Sequence, residues 1–124
     1  MAWNDEELDR IGAADELRIT PEHADGSPAR TTPIWVVQVG DDLYVRSYRG
    51  HAGKWFAAAE SSGRGHIESG GVDKDVVFGA ETEPDVLGRI DAAYEDKYGR
   101  YSRAYVDPMV APTARGATLR LVPR

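Results

Sequence analysis

The chain has 124 residues, 41% of them hydrophobic and 29% charged, an ordinary globular composition at a length where one hydrophobic core is the default. No apolar run approaches the ~20 residues of a membrane-spanning helix. The acidic start MAWNDEELDR is unlike a secretory signal, so the expected location is the cytoplasm. There is no cysteine, which excludes disulfides, thiol catalysis and thiolate metal sites, and the net charge of -6 argues against nonspecific nucleic-acid binding.

In chain order, Asn4 is placed to cap a first helix, with Glu7 completing a capping box and Leu8 and Ile11 forming a narrow apolar stripe. Leu17 and Ile19 alternate with Arg18 and Thr20, the pattern of a short half-buried strand. Pro21 to Arg30, rich in Gly, Pro and charge, reads as a flexible loop. Ile34 to Val39 and Leu43 to Tyr48 read as two strands of a hairpin around Gly40-Asp41-Asp42. The second places Leu43, Val45 and Ser47 on one face and Tyr44, Arg46 and Tyr48 on the other. Lys54 to Ser61 is a short helix ended by Gly63. His66 to Ser69 and Val72 to Phe78 flank Gly70-Gly71, a strong hairpin signal. Pro84 opens a helix to Tyr98 whose face carries Leu87, Ile90 and Tyr94, with Gly99 as its terminator. Thr118 to Val122 is a last strand. Hairpins in sequence with few helices favour a small antiparallel barrel, mainly β in an α+β arrangement.

The strongest chemical signal lies after the second strand. Arg46, Arg49, His51 and Lys54 fall close together in an otherwise acidic chain. Hydroxyls, glycine-exposed amides and the helix start at Lys54 are the donors a phosphate needs; a solvated turn is the alternative. The spacing of Gly50, Gly53 and Lys54 is wrong for a nucleotide-binding P-loop, and Trp55 stands where Ser or Thr is required. Trp55 reads as partly core and Trp35 as wholly structural. His23, His51 and His66 are too dispersed for a metal site, and His66 with Glu68 reads as a surface pair. Ser61-Ser62-Gly63 lacks the nucleophile elbow of serine hydrolases. Asp73 and Asp75 read as surface charge, Asp91 and Lys97 either as buried structural partners or as groups that orient the tyrosines, and Tyr94, Tyr98, Tyr101 and Tyr105 as one stripe if the helix resumes after Gly99.

In the order of its parts the chain resembles the split-barrel family of flavin- and deazaflavin-binding oxidoreductases, within it the deazaflavin-dependent nitroreductase-like branch. Thr31-Thr32-Pro33 stands where that branch has a threonine-proline strand start. Ser47-Tyr48-Arg49-Gly50 stands at its phosphate loop, and Lys54-Trp55-Phe56 at its tryptophan-bearing helix. Along nearly its whole length the chain is similar to an uncharacterised family known as a domain of unknown function (2255), through WVVQVGDDLYVRS, IDAAYEDKYGRY, DPMV and ATLRLVP. The resemblance implies a single split-barrel domain over residues 1–124, with about six strands and two to three helices. It implies FMN or a deazaflavin coenzyme as cofactor. Thr32, Ser47, Arg49, Gly50, His51 and Lys54 would lie at its phosphate end and Trp55 beside its ring, with Tyr101 or Tyr105 on the substrate side. The reaction implied is reduction of a small organic acceptor, with no residue required as acid or base, and a homodimer is expected. The second reading is a non-catalytic binding or interaction domain that kept the barrel without the cofactor.

Overall fold

The structure is a computed structural model that describes residues 2–124. Seven antiparallel strands form one curled sheet, a half-barrel, in the order β2-β1-β5-β6-β7-β4-β3. They are β1 (Leu17–Pro21), β2 (Thr32–Ile34), β3 (Val37–Val39), β4 (Asp42–Arg46), β5 (Arg64–Ser69), β6 (Val72–Ala80) and β7 (Thr118–Pro123). Five α-helices decorate them: α1 (Asp5–Ala13), α2 (Lys54–Ser62), α3 (Pro84–Tyr98), α4 (Arg103–Val110) and α5 (Pro112–Arg115). The split-barrel architecture expected from the sequence is present, with seven strands in place of about six and five helices in place of two to three. Among the described residues, no helix is long and apolar enough to cross a membrane.

The expected strand Ile34 to Val39 is two strands serving opposite edges of the sheet. Thr32–Ile34 pairs with β1, while Val37–Val39 pairs with β4. The hairpin therefore begins at Val37, not at Ile34. Between the halves, the backbone of Val36 leaves the ladder and its polar groups are met by side chains from α3. Its N–H donates to the Tyr98 hydroxyl at 3.2 Å, and its carbonyl accepts from Lys97 Nζ at 2.7 Å. The single Tyr98 proton is then available to the Asp15 carbonyl, 2.8 Å away. A buried backbone group must find a partner somewhere, and here long-range side chains replace a neighbouring strand.

Strand β4 shows how alternation builds two cores. Leu43 and Val45 enter the barrel interior with Ile11, Leu17, Ile19, Ile67 and Leu121. Tyr44 faces the other way, into a second cluster with Ile90, Tyr94, Tyr98, Val106 and Met109 under α3 and α4. The expected apolar face of α3 is present, with Ile90 and Tyr94 buried and Leu87 half-buried. The tyrosine stripe is not one helix: α3 stops at Tyr98, and a turn intervenes before α4. Helices α4 and α5 escape sequence reading because Pro108 and Pro112 look like breakers. The capping box at α1 forms as expected. Gly70 and Gly71 make the β5–β6 turn with φ of 58° and 85°, the left-handed region that favours glycine. The Pro21–Arg30 segment is hydrogen-bonded to itself, through a Glu22–Pro28 bridge and an Ala29 N–H to Pro21 carbonyl bond of 2.7 Å.

His66 pairs across the β5–β6 hairpin with Asp73 and Asp75 instead of along its strand with Glu68, because the register sets His66 opposite Asp75. The Asp75 hydrogen bond, joined by Asp73, raises the imidazole above its ordinary 6.5. The folded state therefore favours the protonated ring. Its stabilisation is full below about pH 6.5 and is lost as pH rises through the higher folded value. Thermal unfolding of the wild type and His66→Gln should differ most near about pH 6 and converge by about pH 9, the gap staying within the 0–1 kcal/mol of an exposed pair. A gap that widens with pH contradicts this sign.

Candidate functional site

A groove of about 1080 Å³ opens between the edge strand β2 and the exit of β4, which lies next to the opposite edge in the strand order, close to the upper end of the 300–1,000 Å³ usual for small-molecule sites. One wall is β2 with the segment before it, from Ala29 to Trp35. The opposite wall is the exit of β4, Arg46 to Arg49, with the start of α2 at Gly53 to Trp55. Helix α4 closes the third side with Tyr105, Pro108 and Met109. A smaller cleft of about 300 Å³ lies between α1 and the β5–β6 turn, but there Glu6 is paired with Arg10 and Glu7 with Lys74.

The charge of the groove is one-sided. No Asp or Glu lines it, although the chain has 21 of them; Arg30, Arg46, Arg49 and Lys54 do. Arg46 is not a loop cation. It is buried, donating from Nε to Thr118 Oγ1 at 2.9 Å and from the terminal nitrogens to the Met109 and Leu87 carbonyls at 3.0 and 3.1 Å. Its guanidinium also pairs with Asp91 and lies over the Tyr94 ring. Asp91 holds Arg115 as well, so the expected partnership with Lys97 does not form. Among the described residues Arg30, Arg49 and Lys54 have no carboxylate partner, nor do Arg18, Arg89 and Arg120 outside the groove, whereas Arg10, Arg46, Arg64, Arg100, Arg103, Arg115 and Arg124 each have one.

Ser47 and α2 supply neutral donors at the same place. Ser47 is only 2% exposed, its N–H anchored to the Ala117 carbonyl. A Cβ on Gly53 would stand 2.4 Å from Ser47 Oγ, so glycine is what lets the hydroxyl sit against the helix start. Gly53 caps α2 without a side chain, and the first intrahelical bond is Ala57 N–H to the Gly53 carbonyl. The amides of the preceding turn have no intrahelical acceptor and carry the positive end of the helix dipole. Hydroxyl, amides, Arg49 and Lys54 together put neutral and charged donors at one corner of the groove, the kind of groups an anion requires.

Aromatic rings furnish the rest. Trp55 is half-buried, edge-on to Phe56 at 5.8 Å. Trp35 stacks on Tyr98 with centroids 4.0 Å apart and planes 2° from parallel, yet it also lines the groove. Tyr48 and Tyr105 are exposed at the rim, 58% and 68% accessible. Of the sequence-nominated residues, Thr32, Ser47, Arg49, Lys54, Trp55 and Tyr105 line the groove, while Gly50, His51 and Tyr101 do not. Gly50 has φ of 66° and a Cβ there would meet Thr113. His51 turns away, with Nε2 2.9 Å from the Gly116 carbonyl and Nδ1 beside Glu60. Tyr101 stacks on the far side of Trp35 and reaches Asp15. Sequence reading gave no site role to Arg30, Trp35 and Met109; their periodicity marks them as loop or core, and only the folded seam brings them together.

Several solved structures share this fold. The heme storage protein HutZ from Vibrio cholerae matches with a TM-score of 0.71 at 14% identity, over 100% of this chain and 92% of its own. A putative pyridoxamine 5'-phosphate oxidase from Listeria innocua gives 0.69 at 14% identity, over 97% and 92%. An F420 reductase gives 0.58 at 13% identity, over 98% and 94%. No curated protein matches the chain. Residues 7–121 match the family described as uncharacterized protein conserved in bacteria (DUF2255).

Proposed function

Because the chain belongs to the DUF2255 family, whose description assigns no activity, we propose its function from the groove itself: binding of a phosphate-bearing cofactor of the flavin or deazaflavin class, in the service of reducing a small organic acceptor. The observation that carries this reading is the absence of any carboxylate from a large aromatic-lined groove in a chain of net charge -6. A likeness in fold to an F420 reductase and a pyridoxamine 5'-phosphate oxidase-like protein supports it. It does so as analogy, since one fold hosts many functions.

The residues present fit such a group. Ser47, Arg49, Lys54 and the first amides of α2 would hold its phosphate, with Thr32 across the groove, and Trp55 and Trp35 would border its ring. The chemistry such a group supplies when bound is two-electron transfer. The protein's part is to orient it and to exclude water, through the apolar wall of Ile34, Trp55, Pro108 and Met109. No general acid or base is assigned.

Titration calorimetry with FMN and with a deazaflavin coenzyme tests the reading. The wild type should bind one of them, and Arg49→Ala and Lys54→Ala should each weaken binding by about 1.5–3 kcal/mol, the worth of a charge-assisted hydrogen bond, or roughly ten- to a hundredfold. Thermal stability should stay within about 0.5 kcal/mol, as at other surface positions. Binding of neither cofactor by the wild type would overturn the oxidoreductase reading. Binding indifferent to both substitutions would move the phosphate site elsewhere.

A further inference from the structure

The proposed phosphate corner at Ser47, Arg49 and Lys54 leaves one groove cation unused. Arg30 stands on the opposite wall, ahead of β2, at the far end of the strand order from β4. Its neighbours are pinned on both sides. The Ala29 N–H donates to the Pro21 carbonyl at 2.7 Å, and the hydroxyls of Thr31 and Thr20 are 2.7 Å apart. Upstream, the His23 N–H donates to the Ser27 carbonyl at 2.7 Å, and Glu22 accepts from Arg64 Nε at 2.9 Å. An arginine carried on backbone held this way, lining a groove without carboxylates, is an exposed cation with no anionic partner among the described residues.

The charged groups offered to the phosphate, Arg49 and Lys54, stand on one wall with only the neutral Thr32 opposite, so the charge on that other wall is free to select a different group. The rings between the walls, Trp35, Trp55 and Tyr105, suit a flat ligand, and a guanidinium fork matches the two oxygens of a carboxylate. We propose that Arg30 forms a second anion subsite that takes the carboxylate of an aromatic acid, which is the acceptor in the function proposed above; the inference rests on that groove being the ligand site. Recognition at this subsite is charge-based and selects acids over neutral aromatics of the same size.

The test uses 4-nitrobenzoate and its neutral counterpart 4-nitrobenzyl alcohol, titrated calorimetrically at low ionic strength into the wild type, Arg30→Gln and Arg30→Lys, with FMN titrated in parallel. The wild type should prefer the acid, and Arg30→Gln should lose about tenfold in its affinity, the scale of one charge-assisted hydrogen bond at a partly solvated site. Arg30→Lys should recover part of that loss, and FMN affinity should change less than about twofold, because phosphate contacts sit on the other wall. Equal affinity for acid and alcohol, an acid affinity unchanged in Arg30→Gln, or an FMN affinity that falls as steeply as the acid's would each overturn the proposal. If FMN fails to bind while the acid binds through Arg30, the subsite stands and the cofactor reading falls.

Discussion

Replacing Arg46 by Met should cost about 3–5 kcal/mol of folding stability, the range for removing one partner of a buried ion pair. The side chain is fully buried, and its four hydrogen bonds are spread over three elements: Thr118 on β7, the Leu87 carbonyl and Asp91 on α3, and the Met109 carbonyl on α4. Methionine fills similar space but leaves two carbonyls and one carboxylate short of donors. Asp91 retains Arg115 and is 27% exposed, which keeps the loss from being larger. Arg46→Lys should recover little, since one ammonium cannot reach groups that a planar fork reaches together. Removing Asp91 as well, in Arg46→Met/Asp91→Leu, should cost less than the sum of the single changes, because the second substitution removes the stranded charge. Urea unfolding of the wild type, Arg46→Met, Arg46→Lys, Asp91→Leu and the double variant measures all of this. A loss below about 1 kcal/mol for Arg46→Met would mean that the network is ornamental.

Tyr98 should rank next. Tyr98→Ala removes a fully buried ring stacked face to face on Trp35 and should cost about 3–5 kcal/mol. Tyr98→Phe keeps the ring and isolates the hydroxyl, which serves the Val36 N–H and the Asp15 carbonyl. With both left unpaired, the expected cost is about 1–3 kcal/mol. Lys97 still covers the Val36 carbonyl, although burial already pulls its ammonium down to about 8. Hydrogen exchange at the Val36 amide is the sharper readout. In Tyr98→Phe that amide should lose protection out of proportion to the global loss, because the strand edge on either side remains paired. Protection at Val36 that falls only in step with global stability would show that the hydroxyl is not what holds this crossing.

Much of this architecture is written in local pattern. Asn4 and Glu7 announce α1, Gly70-Gly71 announces the β5–β6 turn, and the alternation around Leu43 and Val45 announces β4. These features depend on residues within a few positions of one another. What sequence reading misses depends on distant partners. The break at Val36 is stabilised by side chains about sixty residues away. Arg46 alternates with Leu43 and Val45 like any solvated strand residue, yet α3 and α4 fold over it and turn that face into a core. His51 sits inside the basic stretch but is claimed by Gly116 and Glu60. Arg30 looks like loop charge until β2 takes its place at the sheet edge. The corner made by Ser47, Arg49 and Lys54 is legible because it is nearly contiguous; the opposite wall is not.

The position of β7 has a consequence for how the molecule is born. The last of the described strands to leave the ribosome inserts between β6 and β4 and pairs with both. Until residues 118–123 emerge, both of those strands present naked edges, and an unpaired edge invites pairing with other chains. The hairpins β3–β4 and β5–β6 can form early from local contacts, whereas the second edge of β4 must wait for a partner more than seventy residues downstream, and such distant closure is slow. Synthesis therefore holds the nascent chain in an open, adhesive form until residues 118–123 are made. A pause or truncation just before Thr118 should yield a chaperone client rather than a smaller folded protein.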